Sequence, residues 1–425
     1  MIKIINIENA QKADILTRDI KLESGVETIV ADIIANVKEN GDKALKEYAL
    51  KFDKAEIENL RVTAEEIEKA YETEDKEFIR TLEIAKNNIE AFHKKQLRSG
   101  FEINEGNGIV AGQKITPIEK AGLYVPGGTA SYPSTVLMNA VPAKIAGVKE
   151  IVMVTPPDKE GNIPSAILCA AKIAGVDTII KTGGAQAVAA LAYGTESVPK
   201  VDKIVGPGNV FVATAKRMLY GLVDIDMIAG PSEILVLADG TCNPAYVAAD
   251  LLSQAEHDKL ASAVLVTDSK ELAYAVSEEL EKQIPMLPRE EIARTSIDTN
   301  GKIIIAENLE QGVEIANEIA PEHLEVCVDD PFALLDKIKN AGSIFLGKNT
   351  PEALGDYLAG TNHTLPTSGT ARFSSPLSVD DFVKKSQYIY YTEEALGKVK
   401  DNIVLFANRE GLHAHGKSAA IRFEK

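Results

Sequence analysis

Histidine is scarce in this sequence and falls mainly in the later part of the chain. Five of the six histidines follow residue 256 and lie among Glu, Asp, Asn or Gly: His257, His323, His363, His413 and His415. Gln254 and His257 are three residues apart on a predicted helix, so their side chains would share one face. This spacing suits two ligands of one metal ion, and it also suits an exposed polar pair.

Two further groups of residues have types that suit acid–base or metal chemistry. The segment PEHLE (321–325) places Glu322 and His323 side by side at the predicted entry to a strand. Adjacent titratable groups fit general acid–base catalysis, although a polar strand entry has the same pattern. Asp356 lies in a Gly-, Ser- and Thr-rich segment (355–378) that we predict to be a long loop. It would supply an anionic oxygen to a borderline cation such as Zn²⁺, which accepts mixed nitrogen and oxygen ligands.

Two segments have the spacing of phosphate-binding loops. GPGNVF (206–211) begins like the dinucleotide motif G-x-G-x-x-G, but Phe211 stands where the third glycine is required. Gly206 and Gly208 would still let the backbone approach a ligand at a helix N-terminus, and a simple strand-to-helix turn also fits. GLHAHGKS (411–418) matches G-x-x-x-x-G-K-[ST], but it has neither a buried strand before it nor a sheet after it. We therefore do not expect a phosphate loop there.

The elements that must position these residues follow a strand–turn–helix rhythm. AGVKEIVMVTPP (146–157), AGVDTIIKTGG (174–184) and KVDKIVGPG (200–208) are related phrases with Ala-rich helical stretches between the early copies. The rhythm continues through ILVLAD (234–239), SAVLVTD (262–268), KIIIAEN (302–308) and HLEVCVDD (323–330). Such units predict parallel sheets. Helical spacing dominates from about 24 to 98, with a capping box at Thr63 and Glu66, and short strands are expected over 101–120.

The fold class that follows is α/β, with two Rossmann-like parallel-sheet units. A small N-terminal arm precedes them, and a small helical C-terminal region follows from about residue 378. No stretch reaches the length of a transmembrane helix, and the first residues do not resemble a signal peptide. We therefore expect a cytoplasmic protein that does not bind membranes.

Composition limits the classes of partner. The 425 residues include 46 Lys and Arg against 63 Asp and Glu, for a formal charge of −17. Nucleic acids and anionic membranes favour basic proteins, so neither is expected as a partner. Three cysteines without a CxxC pair exclude a disulfide scaffold and a cysteine-rich zinc site.

Taken in order, the motifs resemble those of the histidinol dehydrogenase family. The matching phrases, which run from about residue 120 to the C-terminus, are LYVPGG, GGAQAVAALAYGTESVPKVDKIVGPGN, AGPSEILVLAD, LLSQAEHD, PEHLEV, GDYLAGTNHTLPT and EGLxAH. The resemblance implies a zinc enzyme that converts L-histidinol, two NAD⁺ and water to L-histidine and two NADH. L-histidinaldehyde would remain bound between the two oxidations, in the last step of histidine biosynthesis.

The resemblance also implies roles for individual residues. Glu322 and His323 match the catalytic acid–base pair, in which His323 accepts the alcohol proton and Glu322 helps to activate water. The implied zinc ligands, for one ion per subunit, are Gln254, His257, Asp356 and His415. The implied NAD contacts are Tyr124, Gln186 and Asn209. The implied substrate contacts are Ser232, Gln254, His257, His323, Asp356, Glu410 and His415.

An intertwined homodimer is implied as well, in which His415 and Glu410 reach the site from the other subunit. The domain ranges expected on this basis are 1–20 for the arm, 21–123 with 234–377 for a first α/β domain, 124–233 for a second, and 378–425 for a subunit-contacting region. The first α/β domain would hold the catalytic and metal residues, and the second would contact NAD.

Two alternatives come from other functional classes. A P-loop NTPase would use Lys417 of the 411–418 segment, and a sensor would bind NAD or a metal without turnover. The adjacent Glu322 and His323 argue against the sensor, because a protein that only binds has no use for an acid–base pair.

Overall fold

The computed structural model describes residues 1–7, 25–127 and 131–424. They form two compact units, of which the first contains 1–96 and 118–382 and the second contains 97–117 and 383–425. In these described ranges, no helix has the length and apolar character needed to cross a membrane.

The strands of the described residues alternate with helices through most of the chain. Their bounds are β1 (Lys3–Asn6), β2 (Phe101–Asn104), β3 (Ile109–Pro117), β4 (Lys120–Tyr124), β5 (Glu150–Thr155), β6 (Thr178–Lys181), β7 (Lys203–Val205), β8 (Asp224–Ile225), β9 (Glu233–Ala238), β10 (Ser262–Thr267), β11 (Lys302–Ile305), β12 (His323–Cys327), β13 (Ser343–Leu346) and β14 (Val383–Tyr391).

The α-helices that connect or flank these strands are mostly three or four turns long. Their bounds are α1 (Val26–Tyr48, interrupted at Gly41), α2 (Ala64–Thr73), α3 (Lys76–His93), α4 (Pro133–Ala146), α5 (Ser165–Ala174), α6 (Gly184–Tyr193), α7 (Val210–Leu219), α8 (Pro244–Ala255), α9 (Lys270–Gln283), α10 (Glu290–Asn300), α11 (Leu309–Ile319), α12 (Phe332–Leu335), α13 (Glu352–Tyr357), α14 (Glu393–Arg409) and α15 (His413–Ala420).

A five-stranded parallel sheet forms in the order β6-β5-β4-β7-β8. Alternate residues of its strands enter two different cores. On β5, Val152 and Val154 belong to one core, whereas Ile151 and Met153 belong to the other. Burial on both faces explains why these strands are apolar runs rather than alternating patterns, as is usual for parallel sheets.

A second parallel sheet has six strands in the order β1-β11-β10-β9-β12-β13. Helices α8, α9 and α10 share a core with one face, and α11 shares a core with the other. The predicted α/β class with two parallel-sheet units is therefore confirmed. The first residues form β1, an edge strand of this sheet. The predicted arm was 1–20, and its residues 8–20 lie outside the described ranges.

Helices α1 and α3 pack on the five-stranded sheet, from opposite sides. Val30 and Leu45 of α1 share a core with Val152, and Leu82 and Ile89 of α3 share the other core with Met153. The expected ranges grouped these helices with residues 234–377. Amphipathic spacing shows that a helix has an apolar face, but it does not identify the sheet that covers that face.

The second unit combines a three-stranded antiparallel sheet, in the order β14-β3-β2, with α14 and α15. Short strands were expected over 101–120, and β2 and β3 lie there. Strand β14 was not foreseen, because its sequence VKKSQYIYY is mostly exposed and lacks the apolar run of a buried strand.

Candidate catalytic and metal site

Glu322 and His323 lie at the amino end of β12, next to the start of β9. The His323 ring is 2.9 Å, through Nδ1, from the carbonyl oxygen of Glu233, and the Glu233 amide donates to Glu322 Oε2 at 2.9 Å. A carbonyl can only accept, so Nδ1 carries the proton in this contact. The other ring nitrogen, Nε2, is then left with its lone pair free to act as a base.

The atom that faces this lone pair is a carboxylate oxygen of Glu352. His323 Nε2 and Glu352 Oε1 are 3.5 Å apart and buried, and neither has a hydrogen-bond partner among the described residues. Two buried acceptors at this distance need a shared proton or a cation. Glu352 was not foreseen as a site residue, although the signal existed: Glu352 precedes Asp356 by four residues, which is one turn of helix.

The carboxylates of Glu352 and Asp356 and the ring of His323 form a compact group. One ligand atom from each lies within 4.8 Å of the others, which is a geometry that could hold a metal ion. The side chain of Gln254, on α8, hydrogen-bonds to Glu352. Two of the four predicted zinc ligands, Gln254 and Asp356, are therefore both neighbours of Glu352.

Burial and neighbouring charges shift the carboxyl groups in different directions. Burial raises the pKa of Glu322 well above its ordinary range, against the hydrogen bond from the Glu233 amide. Burial and then the charge of Asp356 raise the pKa of Glu352 to about 7. Burial acts to raise the pKa of Asp356 too, but the hydrogen bond and charge of His363 hold it at about 2. The site therefore combines the ionised carboxylate of Asp356 with two carboxyl groups, Glu322 and Glu352, whose pKa is raised.

Asp356 lies on the short helix α13 rather than in the loop that we predicted. His363 Nδ1 is 3.6 Å from Asp356 Oδ1, and His363 Nε2 is 3.3 Å from the hydroxyl of Thr135 on α4. His363 therefore orients the Asp356 carboxylate and connects it to α4. No role was assigned to His363 from sequence, because the seven-residue spacing to Asp356 predicts no contact and Thr135 is 228 residues away.

His257 follows the end of α8 instead of lying on it. The helix ends at Ala255, but the turn continues, and the His257 amide donates to the Gln254 carbonyl at 3.1 Å. Desolvation lowers the pKa of the imidazole, although the residue as a whole is exposed, and the charges of Asp356 and His323 also act on it. His257 thus lies at the open edge of the same group of residues.

The remaining predicted site residues divide between the two units. Ser232 is partly buried immediately before β9, beside Glu233. Glu410 is the C-cap of α14, and His415 is an exposed residue of α15, both in the second unit. The 411–418 segment follows helix α14 rather than a strand, and Lys417 pairs with Glu424 at 2.6 Å. This surrounding structure differs from that of a phosphate loop.

The residues predicted to contact NAD lie at the carboxyl edge of the five-stranded sheet. Tyr124 ends β4, Gln186 lies in the first turn of α6 after β6, and Asn209 follows β7. From β4, the chain proceeds to β5 and β6 on one side and later to β7 and β8 on the other. The carboxyl edge at such a reversal of strand order is where open α/β sheets bind ligands.

The turns at this edge are tightly held. The Gly184 amide donates to the Tyr124 hydroxyl at 3.0 Å, and burial raises the pKa of that hydroxyl to about 12. Gly206 has a φ of 112°, and a Cβ there would lie 2.1 Å from the Tyr124 carbonyl oxygen, so only glycine fits. Asn209 caps α7 by accepting from the amides of Phe211 at 3.1 Å and Val212 at 3.2 Å.

Known proteins match this chain over nearly its full length. The family model described as histidinol dehydrogenase matches residues 16–423. A histidinol dehydrogenase of Clostridium acetobutylicum is 59% identical over 92% of this chain and 91% of its own length. One from Listeria monocytogenes is 58% identical over 94% of this chain and 93% of its own. The crystal structure of histidinol dehydrogenase from Elizabethkingia anophelis has a TM-score of 0.94 at 39% identity, over 99% of this chain and 98% of that one.

Proposed function

Because the chain belongs to the histidinol dehydrogenase family, we propose that it oxidises L-histidinol to L-histidine in two NAD-dependent steps, as the last reaction of histidine biosynthesis. The observation that carries the chemistry is the anchoring of both Glu322 and His323 on the backbone of Glu233. It presents a buried imidazole lone pair as a base beside a carboxyl group with a raised pKa.

In the first oxidation, His323 Nε2 accepts the hydroxyl proton of the alcohol. The C–H bond pair leaves as hydride to the nicotinamide of NAD⁺, and the aldehyde results. An alcohol gives up a hydride readily only as its proton leaves, so the base must lie within hydrogen-bond reach. The Nδ1–H bond to the Glu233 carbonyl keeps the ring in the tautomer that this step requires.

In the second oxidation, Glu322 helps to remove a proton from water as it attacks the bound aldehyde, and His323 assists. The hydrate then loses a second hydride to a second NAD⁺ and becomes the carboxylate. Burial raises the pKa of Glu322, so its carboxylate is a stronger base than an exposed glutamate. Ser232, immediately before Glu233, is the proposed substrate contact at this end of β9.

Zinc is the metal that we propose for the site, held by Gln254, His257, Asp356 and His415. The mixed nitrogen and oxygen donors suit Zn²⁺, and the buried, unpartnered acceptors of His323 and Glu352 beside them fit a nearby cation. A zinc ion held by these residues would supply a template that orients the substrate for both oxidations. Contacts within the protein orient two of the proposed ligands. His363 orients Asp356, and a hydrogen bond to Glu352 orients Gln254.

We further propose a homodimer in which His415 and Glu410 complete the site of the partner subunit. The second unit exposes large apolar side chains, among them Ile389 at 72%, Tyr390 at 59% and Phe406 at 72%. Exposed apolar groups of this size on one small unit favour a protein partner. The cytoplasm stays the predicted location, and the three free cysteines agree with a reducing compartment.

The test of the overall reaction is its stoichiometry. With L-histidinol limiting and NAD⁺ in excess, the zinc-replete protein is expected to form about two NADH per substrate, measured by absorbance. An enzyme that stops at the aldehyde would form one. Absence of NADH from a zinc-replete, folded sample would contradict the proposed function.

The proposed NAD contact at Asn209 can be separated from its role as a helix cap. We expect Asn209→Ala to lower the free energy of unfolding by about 0.5–2 kcal/mol, the usual cost of losing a cap, and to raise the KM for NAD⁺. Asn209→Ser keeps a capping oxygen but loses the amide. It should restore the stability measured by urea unfolding without restoring the KM. If serine restores both, Asn209 acts only as a cap.

A further inference from the structure

A pair of carboxyl groups that the proposed mechanism does not use lies beneath the site. Glu325 is 1% exposed in the middle of β12. Residues two apart on a strand point to the same face, so Glu325, His323 and Cys327 share one face of the sheet. Cys327 belongs to the core that α8 covers. Its side chain hydrogen-bonds to Asp250, which lies on α8 one turn before Gln254.

The other contact of Glu325 is with the first residue of α13. The Glu352 amide donates to Glu325 Oε1 at 2.7 Å. Helix α13 has only six residues, and its N-cap is Pro351, which offers no side-chain cap. So short a helix is not stable by itself, and its first amides need acceptors from elsewhere. Glu325 supplies one of these acceptors from the neighbouring strand.

The protonation of the pair suits this contact. Burial, and then the negative charge of Asp250, raise the pKa of Glu325 to about 9. A neutral Glu325 donates its proton to Asp250 through one oxygen and accepts the Glu352 amide through the other. A neutral Glu325 therefore adds no further negative charge to the buried region that holds Glu352 and Asp356.

We infer that Glu325 is a positioning residue whose carboxyl group, held by Asp250, caps α13 and thereby places Glu352 and Asp356 against Gln254 and His323. Both side chains on α13 that face the site, Glu352 and Asp356, depend on this helix for their position. The consequence for zinc rests on the proposed function, in which Asp356 is a ligand, whereas the capping of α13 does not.

The experiment compares Glu325→Leu with Glu325→Gln in the full-length protein. Leucine removes the acceptor, so amides 352–357 of the metal-free protein should exchange with deuterium about 2- to 30-fold faster, the range that follows from loss of a cap. Zinc affinity should fall about 10- to 100-fold, as for loss of a residue that orients a ligand. Glutamine resembles the neutral carboxyl group and should keep both quantities within about threefold of the original protein.

Two further variants keep the test decisive. Asp250→Ala, on a partly exposed helix position, removes the group that holds Glu325 and should also speed exchange at 352–357 if Glu325→Leu does not fold. Cys242→Ala is the matched control, because Cys242 donates to the Cys327 carbonyl at 2.6 Å on the same strand but does not contact α13. It should leave exchange at 352–357 unchanged.

Unchanged exchange at 352–357 in folded Glu325→Leu or in Asp250→Ala would overturn the inference. A folded Glu325→Gln as defective as Glu325→Leu would overturn it as well. Failure of the proposed ligand set has a different signature: Asp356→Asn would then leave zinc affinity unchanged, while the exchange data would still decide whether Glu325 caps α13.

Discussion

The His323→Asn variant is expected to lose about 10²- to 10⁴-fold in kcat, the range for removal of a general base. Asparagine keeps an N–H close to the position of Nδ1, so the bond to the Glu233 carbonyl survives. It has no counterpart of the Nε2 lone pair, so the hydroxyl proton has no acceptor. Zinc content and thermal stability should change little, and steady-state NADH formation, metal analysis and thermal unfolding would measure the three quantities.

His93→Asn is the matched control for this prediction. His93 is fully buried on α3, and its Nδ1 atom is 2.9 Å from the Ile89 carbonyl, outside the site. Its replacement should lower stability and leave the kcat of the folded enzyme within a few-fold. If the kcat of His323→Asn stays within tenfold of the original, a residue other than His323 is the base.

Loss of the metal is expected to abolish NADH formation, and Asp356→Asn should reproduce that loss at low zinc concentration. Asp356 is the anionic member of the proposed ligand set, so its neutralisation should weaken zinc binding by more than the roughly 10- to 100-fold that loss of an outer-shell partner costs. Activity removed by a chelator should return when Zn²⁺ is added. Zinc titration and metal analysis of the purified variant would measure the effect directly.

A carboxylate elsewhere in the same unit provides the comparison. Asp381 is 3.5 Å from Lys203 and accepts from the Ser378 amide at 2.7 Å. Asp381→Asn removes a charge of the same kind without touching the proposed ligands, so zinc affinity should not change. If Asp356→Asn binds zinc as tightly as Asp381→Asn does, Asp356 is not a ligand.

The parts of the fold that were predictable are those in which local pattern and burial agree. Strands β5, β10 and β11 are apolar runs followed by turns, and each is buried as expected. The capping box of α2 is also present, since the Glu66 amide donates to Thr63 Oγ1 at 3.2 Å and the Thr63 amide to Glu66 Oε2 at 2.8 Å. In both cases the signal and its partner lie within a few residues.

The unpredictable parts depend on contacts between distant segments. Asp356 lies on a helix because Glu325, on another element, accepts from the first amide of that helix, and the Gly- and Ser-rich composition after it favours a loop. Glu352 became visible as a site residue only through its distance from His323. The packing of α1 and α3 on the five-stranded sheet likewise follows from tertiary complementarity, which one amphipathic pattern does not encode.

The attachment of the acid–base pair to the main chain of Glu233 bears on how the enzyme tolerates sequence divergence. Both contacts use the amide and carbonyl of one peptide residue, and every amino acid except proline provides both groups. The distance from Glu322 and His323 to the backbone of Glu233 is therefore set by the parallel register of β9 and β12, and the side chain of Glu233 takes no part in either contact. Replacement of Glu233 by any residue except proline would therefore keep both backbone groups, while a neutral residue would remove the charge that now helps to raise the pKa of Glu322.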